Sequence, residues 1–110
     1  MAKSFQLWVT VVSWVDGDTF KGVLDHGCRI YKGTAVKPER FRCALIDAPE
    51  IRTAAGPAAK AAAEQLAPPG EYPCVSTGLD EYGRPLLDLV LVDGMFSTLM
   101  LEANHAVLYR

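Results

Sequence analysis

Residues 5–14, FQLWVTVVSW, crowd β-branched and aromatic side chains together with a few polar ones, the make-up of a half-buried strand. Asp16-Gly17 is a turn signal, and a second strand is expected over 18–25. Gly27 and Gly33 mark turns in an extended hairpin. A third strand is expected over 39–46, with the apolar run Cys43 to Ile46 as its buried end. The pattern changes at 57–67, PAAKAAAEQLA, which predicts a helix. Pro57 suits a first helical position, alanine is the best helix former, and PPG at 68–70 ends the run. A short strand follows at 72–77, a polar turn at 80–85 (DEYGRP), and an apolar strand at 86–92 (LLDLVLV). Asp93-Gly94 turns into a short helix in MFSTLMLEA, and Asn104 beyond it tolerates the left-handed conformation of a helix end. The order β-β-β-α-β-β-α predicts a mainly β protein with helices, a five-stranded, closed or partly closed barrel of the OB type.

Composition narrows the picture. A chain of 110 residues, half of them hydrophobic, is read as one globular domain spanning 1–110. No apolar stretch approaches a membrane span, so no membrane association is expected. MAKSFQLWV lacks the long apolar segment and cleavage site of a secretory signal, so the chain is expected to be cytoplasmic, or else mature after processing. Cys28, Cys43 and Cys74 have no metal-ligand spacing and are read as reduced, buried small hydrophobes. His26 and His105 are expected to be structural, and Trp8 and Trp14 to pack in the core or at the barrel rim. The net charge of −2 gives no global attraction to a polyanion. Arg29, Lys32, Lys37, Arg40 and Arg42, with Glu39 the sole acid among them, make a local excess of positive charge. It suits either a solvated hairpin or a polyanion-facing one.

Three polar stretches carry candidate chemistry. In FRCALIDAPEIR, 41–52, an apolar run stops at two carboxylates around a proline, with Arg42 behind and Arg52 beyond. Pro49 fixes its own φ and biases Ala48 toward an extended shape, which holds Asp47 and Glu50 in a defined relation. VDGDTF, 15–20, and DEYGR, 80–84, are each ordinary turns when taken alone. In order along the chain, VDGDT, then R…IDAPE, then GP-AA opening a helix, then D-YGR, then DG before a final helix resemble the staphylococcal nuclease-like, or thermonuclease, family. The resemblance runs from about Val9 to Ala106.

That resemblance implies an OB-fold barrel and a Ca²⁺-dependent phosphodiesterase, an endonuclease or exonuclease acting on DNA and RNA, with single-stranded nucleic acid the preferred form. Asp18 and Asp47 would be carboxylate ligands of the metal. Ala48 would offer its backbone carbonyl, a role that tolerates Ala where the family often has Thr. Glu50 would hold the attacking water, Arg42 and Arg84 would grip the scissile phosphate, and Tyr82 would line the nucleotide site. The chemistry asks for such groups on its own account. Ca²⁺ takes hard oxygen ligands, a phosphodiester needs its developing charge neutralised, an arginine fork matches phosphate oxygens, and water needs a carboxylate base. The chain departs from the family's basic secreted prototype in several ways. It is mildly acidic, its stretch from Asp18 to Arg42 is longer, and only six residues separate Glu50 from Pro57. It ends at Tyr109-Arg110, so substrate-contacting tyrosines beyond the last helix are expected to be missing or replaced. Arg52 matches no catalytic position and is read as a surface charge. The competing reading is a non-catalytic OB-fold module that binds nucleic acid or protein. Such modules usually lose the carboxylates or arginines, all of which are present here.

Overall fold

A computed structural model of the chain describes residues 7–25 and 31–109. Phe5 and Gln6 of the expected first strand, and His26, Gly27, Cys28 and Arg29, lie outside the described residues. In chain order the elements are β1 (Leu7–Asp16), β2 (Thr19–Asp25), β3 (Tyr31–Lys32), β4 (Glu39–Cys43), β5 (Ile46–Asp47), α1 (Gly56–Leu66), β6 (Gly70–Leu79), β7 (Pro85–Leu91), β8 (Gly94–Met95), α2 (Phe96–Glu102) and β9 (Val107–Leu108). Five of them form the expected OB-type barrel. β1 pairs antiparallel with both β2 and β6, β2 with β4, and β6 with β7. The ring closes through a parallel β4–β7 pair, Arg42 opposite Leu86 and Cys43 opposite Leu87. No helix among the described residues is long and apolar enough to cross a membrane.

The inward face follows the two-residue period of a strand until β1 breaks it. Val9 and Val11 are buried, but the next buried residue is Trp14. The register shift between Val11 and Ser13 adds one residue, which is what a β-bulge does, and flips the parity so that Trp14 points inward. Its ring stacks on Phe96 at 5.0 Å and tilts against Phe20 at 5.2 Å. Its Nε1–H donates to the Ala67 carbonyl at 2.8 Å, which anchors the end of α1 on the barrel. The helix approaches closely because the residues it buries there, Ala59, Ala63 and Ala67, are small. Trp8, by contrast, is half exposed at the other end of β1. Cys43 and Cys74 are buried free thiols. Burial pushes both above the ordinary thiol range, Cys74 to about 12, so neither is a ready nucleophile.

One expectation needs correction. The third strand does not run through Ile46. It stops at Cys43, and Leu45 takes a left-handed conformation (φ +71°) with its side chain exposed. The chain thereby turns, and Ile46–Asp47 form β5, which pairs antiparallel with β9. The apolar strand 86–92 also hides a polar function. Asp88 is buried, and its carboxylate accepts from the Ser97 hydroxyl at 2.6 Å and the Ser97 N–H at 3.0 Å. It satisfies a first-turn N–H of α2 from across the sheet, where the helix's own N-cap, Met95, supplies no side-chain bond. Asp88→Ala would leave that buried N–H unpaired and should cost about 1–3 kcal/mol. Chemical denaturation should show a lower midpoint with an unchanged slope, and Asp88→Asn, which keeps an acceptor, should lose less.

Candidate functional site

The site grows from the tip of the first hairpin. β1 and β2 turn through Gly17 and Asp18, neither of which has positive φ. Glycine is needed at 17 for space. A Cβ there would lie 2.9 Å from the Ala48 Cβ and 3.0 Å from the Ala59 Cβ, so the tip is pressed between α1 and the segment after β5. Asp18, 3% exposed, is bonded on every side. Its carbonyl accepts from the Cys43 N–H at 2.7 Å, Oδ2 from the Ala48 N–H at 2.8 Å and Oδ1 from the Thr19 hydroxyl at 3.0 Å. Its own N–H donates to Asp16 Oδ1 at 3.2 Å.

Arg42 extends over this carboxylate from β4. Its Nη2 donates to the Ile46 carbonyl and to Asp47 Oδ1, both at 3.3 Å, and lies 3.6 Å from Asp18 Oδ2. The guanidinium sits 4.8 Å from the centre of the Tyr109 ring. Tyr109 reaches this place because β9 pairs with β5 and its N–H donates to the Leu45 carbonyl at 2.9 Å. The second arginine is held by the β6–β7 turn. Asp80 Oδ1 accepts the N–H groups of Tyr82 and Arg84, both at 2.8 Å, and Oδ2 accepts Arg84 Nε at 3.0 Å. The Arg84 guanidinium lies 5.1 Å from the Tyr82 ring centre. Arg42, Asp47, Tyr82, Arg84 and Tyr109 line one open cavity of about 510 Å³, together with Asp16, Thr19 and Arg40.

The two anchoring carboxylates are tuned in opposite directions. Burial raises the Asp18 carboxyl above the ordinary range. The neighbouring Asp16 carboxylate adds to the rise, while the Ala48 N–H and the Arg42 charge oppose it. For Asp80, burial also works upward. The backbone N–H groups of Arg84 and Tyr82 and the Arg84 guanidinium outweigh it, and the carboxyl lies below the ordinary range.

Of the residues singled out in the sequence, Arg42, Asp47, Tyr82 and Arg84 face the cavity, with Asp18 packed beneath Arg42 and Ala48 buried beside Asp18. Glu50 does not join them. Its side chain is 71% exposed and its carboxylate pairs with Arg52 at 3.4 Å. The Glu50 carbonyl is pinned by the N–H and hydroxyl of Thr53, and Gly56 at the start of α1 crowds against it so closely that a Cβ would not fit. Arg52, read as a surface charge, is 86% exposed. Beyond the last helix, Tyr109 lines the cavity beside Arg42. Asp16, Arg40 and Asp80 also line the cavity. Asp16 and Asp80 lay in plain view inside turn motifs, where a turn role was reason enough for them.

The donor set suits a hard cation in kind, two carboxylates and a neighbouring main-chain carbonyl, although among the described residues no three acidic, histidine or cysteine side chains group as a ready metal cluster. Asp18 and Asp47 converge on a single cationic position, which the Arg42 Nη2 fills. No protein-family model matches the chain, and no curated protein matches its sequence.

Because the Asp18 carboxyl is raised in the fold, its contribution to stability is present in acid and is lost as pH rises through the folded-state value. Asp18→Asn should therefore raise Tm at neutral pH in a chelator, and the gain should vanish in acid, as read by thermal melts across pH. Gly17→Ala should cost about 1–3 kcal/mol by overpacking the hairpin tip against Ala48 and Ala59, measured by urea unfolding.

Proposed function

We propose that this protein is a Ca²⁺-dependent nuclease that hydrolyses phosphodiester bonds of single-stranded DNA and RNA. One observation carries the reading. Carboxylates from two separate segments, Asp18 at the first hairpin tip and Asp47 on β5, converge on the same nitrogen of Arg42, at a cavity that also holds Arg84 and two exposed tyrosines. Charges of both signs around an open cavity suit an anionic substrate and a cation together, and exposed rings beside arginines suit unpaired bases. The five motifs in family order support the same reading.

In this proposal Asp18, Asp47 and the Ala48 carbonyl hold the metal. The chemistry a bound calcium supplies is neutralisation of charge on the phosphoryl oxygens. Arg42 and Arg84 bind the scissile phosphate. Every side-chain hydrogen bond that Arg42 donates within the described residues runs from Nη2, which leaves Nε and Nη1 to meet phosphate. The Arg84 guanidinium is steadied by Asp80 through Nε alone. Tyr82 and Tyr109 flank the cavity as stacking surfaces. Glu50 takes a proton from the attacking water as the P–O bond to the leaving oxygen breaks, and that oxygen is protonated from solvent. To do so its exposed side chain turns from Arg52 toward the cavity.

A binding module without cleavage is the second reading, and the place of Glu50 outside the cavity favours it. Incubation with heat-denatured DNA in Ca²⁺ or chelator decides between them. We expect cleavage with calcium alone, a loss of about 10²–10⁴ in rate for Glu50→Gln, and a loss of about 10²–10³ for Arg84→Ala. Arg52→Ala, which frees Glu50, should not slow the reaction. A folded protein that leaves the DNA intact in calcium rules out the nuclease.

A further inference from the structure

The outer face of the barrel beside the cavity carries a second cationic feature. Lys21 on β2 and Arg40 on β4 are directly opposite in the antiparallel register, one outward step along from the Thr19–Arg42 pair. Facing residues in such a register share one face of the sheet, and both are exposed. Like charges at facing positions repel, and among the described residues neither Lys21 nor Arg40 forms an ion pair. The nearby Lys32, in contrast, is matched by Glu39 at 3.9 Å. Arg40 also lines the same cavity as Arg42 and Arg84. Two residues along a strand span about 6.6 Å, a spacing comparable to that of successive phosphates in an extended nucleic acid strand.

We propose that Lys21 and Arg40 form a second phosphate subsite, which binds the phosphate adjoining the one held by Arg42 and lays a single-stranded nucleic acid along the outer face of β2 and β4. This rests on the nuclease reading and extends it to the path of the substrate. A phosphate between the two cations removes their mutual repulsion, so the bound state relieves a cost that the free protein carries. The subsite also gives a chain of net negative charge a local foothold for a polyanion, whose own flexibility lets its backbone follow the outer face of the two strands.

The test is the salt dependence of binding. On a Glu50→Gln background with Ca²⁺, fluorescence anisotropy would measure the affinity of a labelled short oligothymidylate, with thymidine 5′-phosphate as a competing single-phosphate ligand, over a range of KCl. The Lys21→Ala/Arg40→Ala double variant should bind the oligonucleotide more weakly and lower the log–log salt slope by about 0.7, the loss of one single-strand phosphate contact. Its affinity for thymidine 5′-phosphate should stay at the parental value, and Lys21→Arg should keep the slope. Lys21→Glu, which can pair with Arg40, should weaken oligonucleotide binding without lowering Tm, which separates this effect from misfolding. A parental slope in the double variant, or an equal loss for the mononucleotide, overturns the subsite while leaving the nuclease reading intact. A parent protein that neither cuts nor binds the oligonucleotide overturns the nuclease reading, and the subsite with it.

Discussion

The bond between the Asp18 carboxylate and the Ala48 N–H is the tie on which the rest of the site depends. It joins the tip of the first hairpin to the segment that follows β5, and the Cys43 N–H secures the same hairpin tip to β4 through the Asp18 carbonyl. A buried carboxylate is an expensive way to join two turns, since ionised oxygen taken out of water must be bonded on all sides. Here it is bonded on all sides, yet burial and Asp16 still hold its proton affinity up. The fold therefore keeps an acidic group where a neutral one would sit more comfortably. That cost is carried beneath an arginine at a cavity wall, the setting in which the proposed function would use it.

Around that tie the side chains compensate one another without fully cancelling. Arg42 is shared between two carboxylates, and Arg84 is fixed by the one carboxylate of Asp80. Each arginine also lies against a tyrosine ring. The guanidiniums are thus oriented in advance while retaining free donors, and preorganised donors lose little on meeting a charged ligand. Glu50 is the contrasting case, because its backbone is pinned while its side chain faces solvent. The orientation of both arginines is built into the barrel, whereas Glu50 is left as one solvent-facing side chain on a short turn.

Most of the barrel was legible in the sequence because its strands are bounded by strong turn signals, and the helix because proline and alanine mark it plainly. Local rules failed where a distant partner decides the outcome. Nothing within 39–46 announces that Leu45 adopts a left-handed conformation; the Leu45 carbonyl accepts from Tyr109 across the chain. The parity change at Trp14 comes from a bulge that the run FQLWVTVVSW does not reveal. Nothing within LLDLVLV tells that Asp88 is buried and bonded, because its partner Ser97 lies outside the strand. In the site, the arginines and aspartates were found through motif order rather than through spacing. Arg40 stood only as one charge of a basic hairpin, and Asp16 and Asp80 were given no role because a turn explains each of them locally.

The parallel junction between β4 and β7 sets a schedule for the molecule. The first hairpin and its third strand can assemble from neighbours in sequence, but the ring stays open until residues 86 and 87 meet 42 and 43, a long loop to close. Likewise, β9 must pair with β5 before Tyr109 can stand over Arg42. The cavity therefore depends on contacts between residues far apart in the sequence. A chain interrupted before its final strand can hold hairpins and a helix, and even much of the barrel, but it lacks the completed cavity wall.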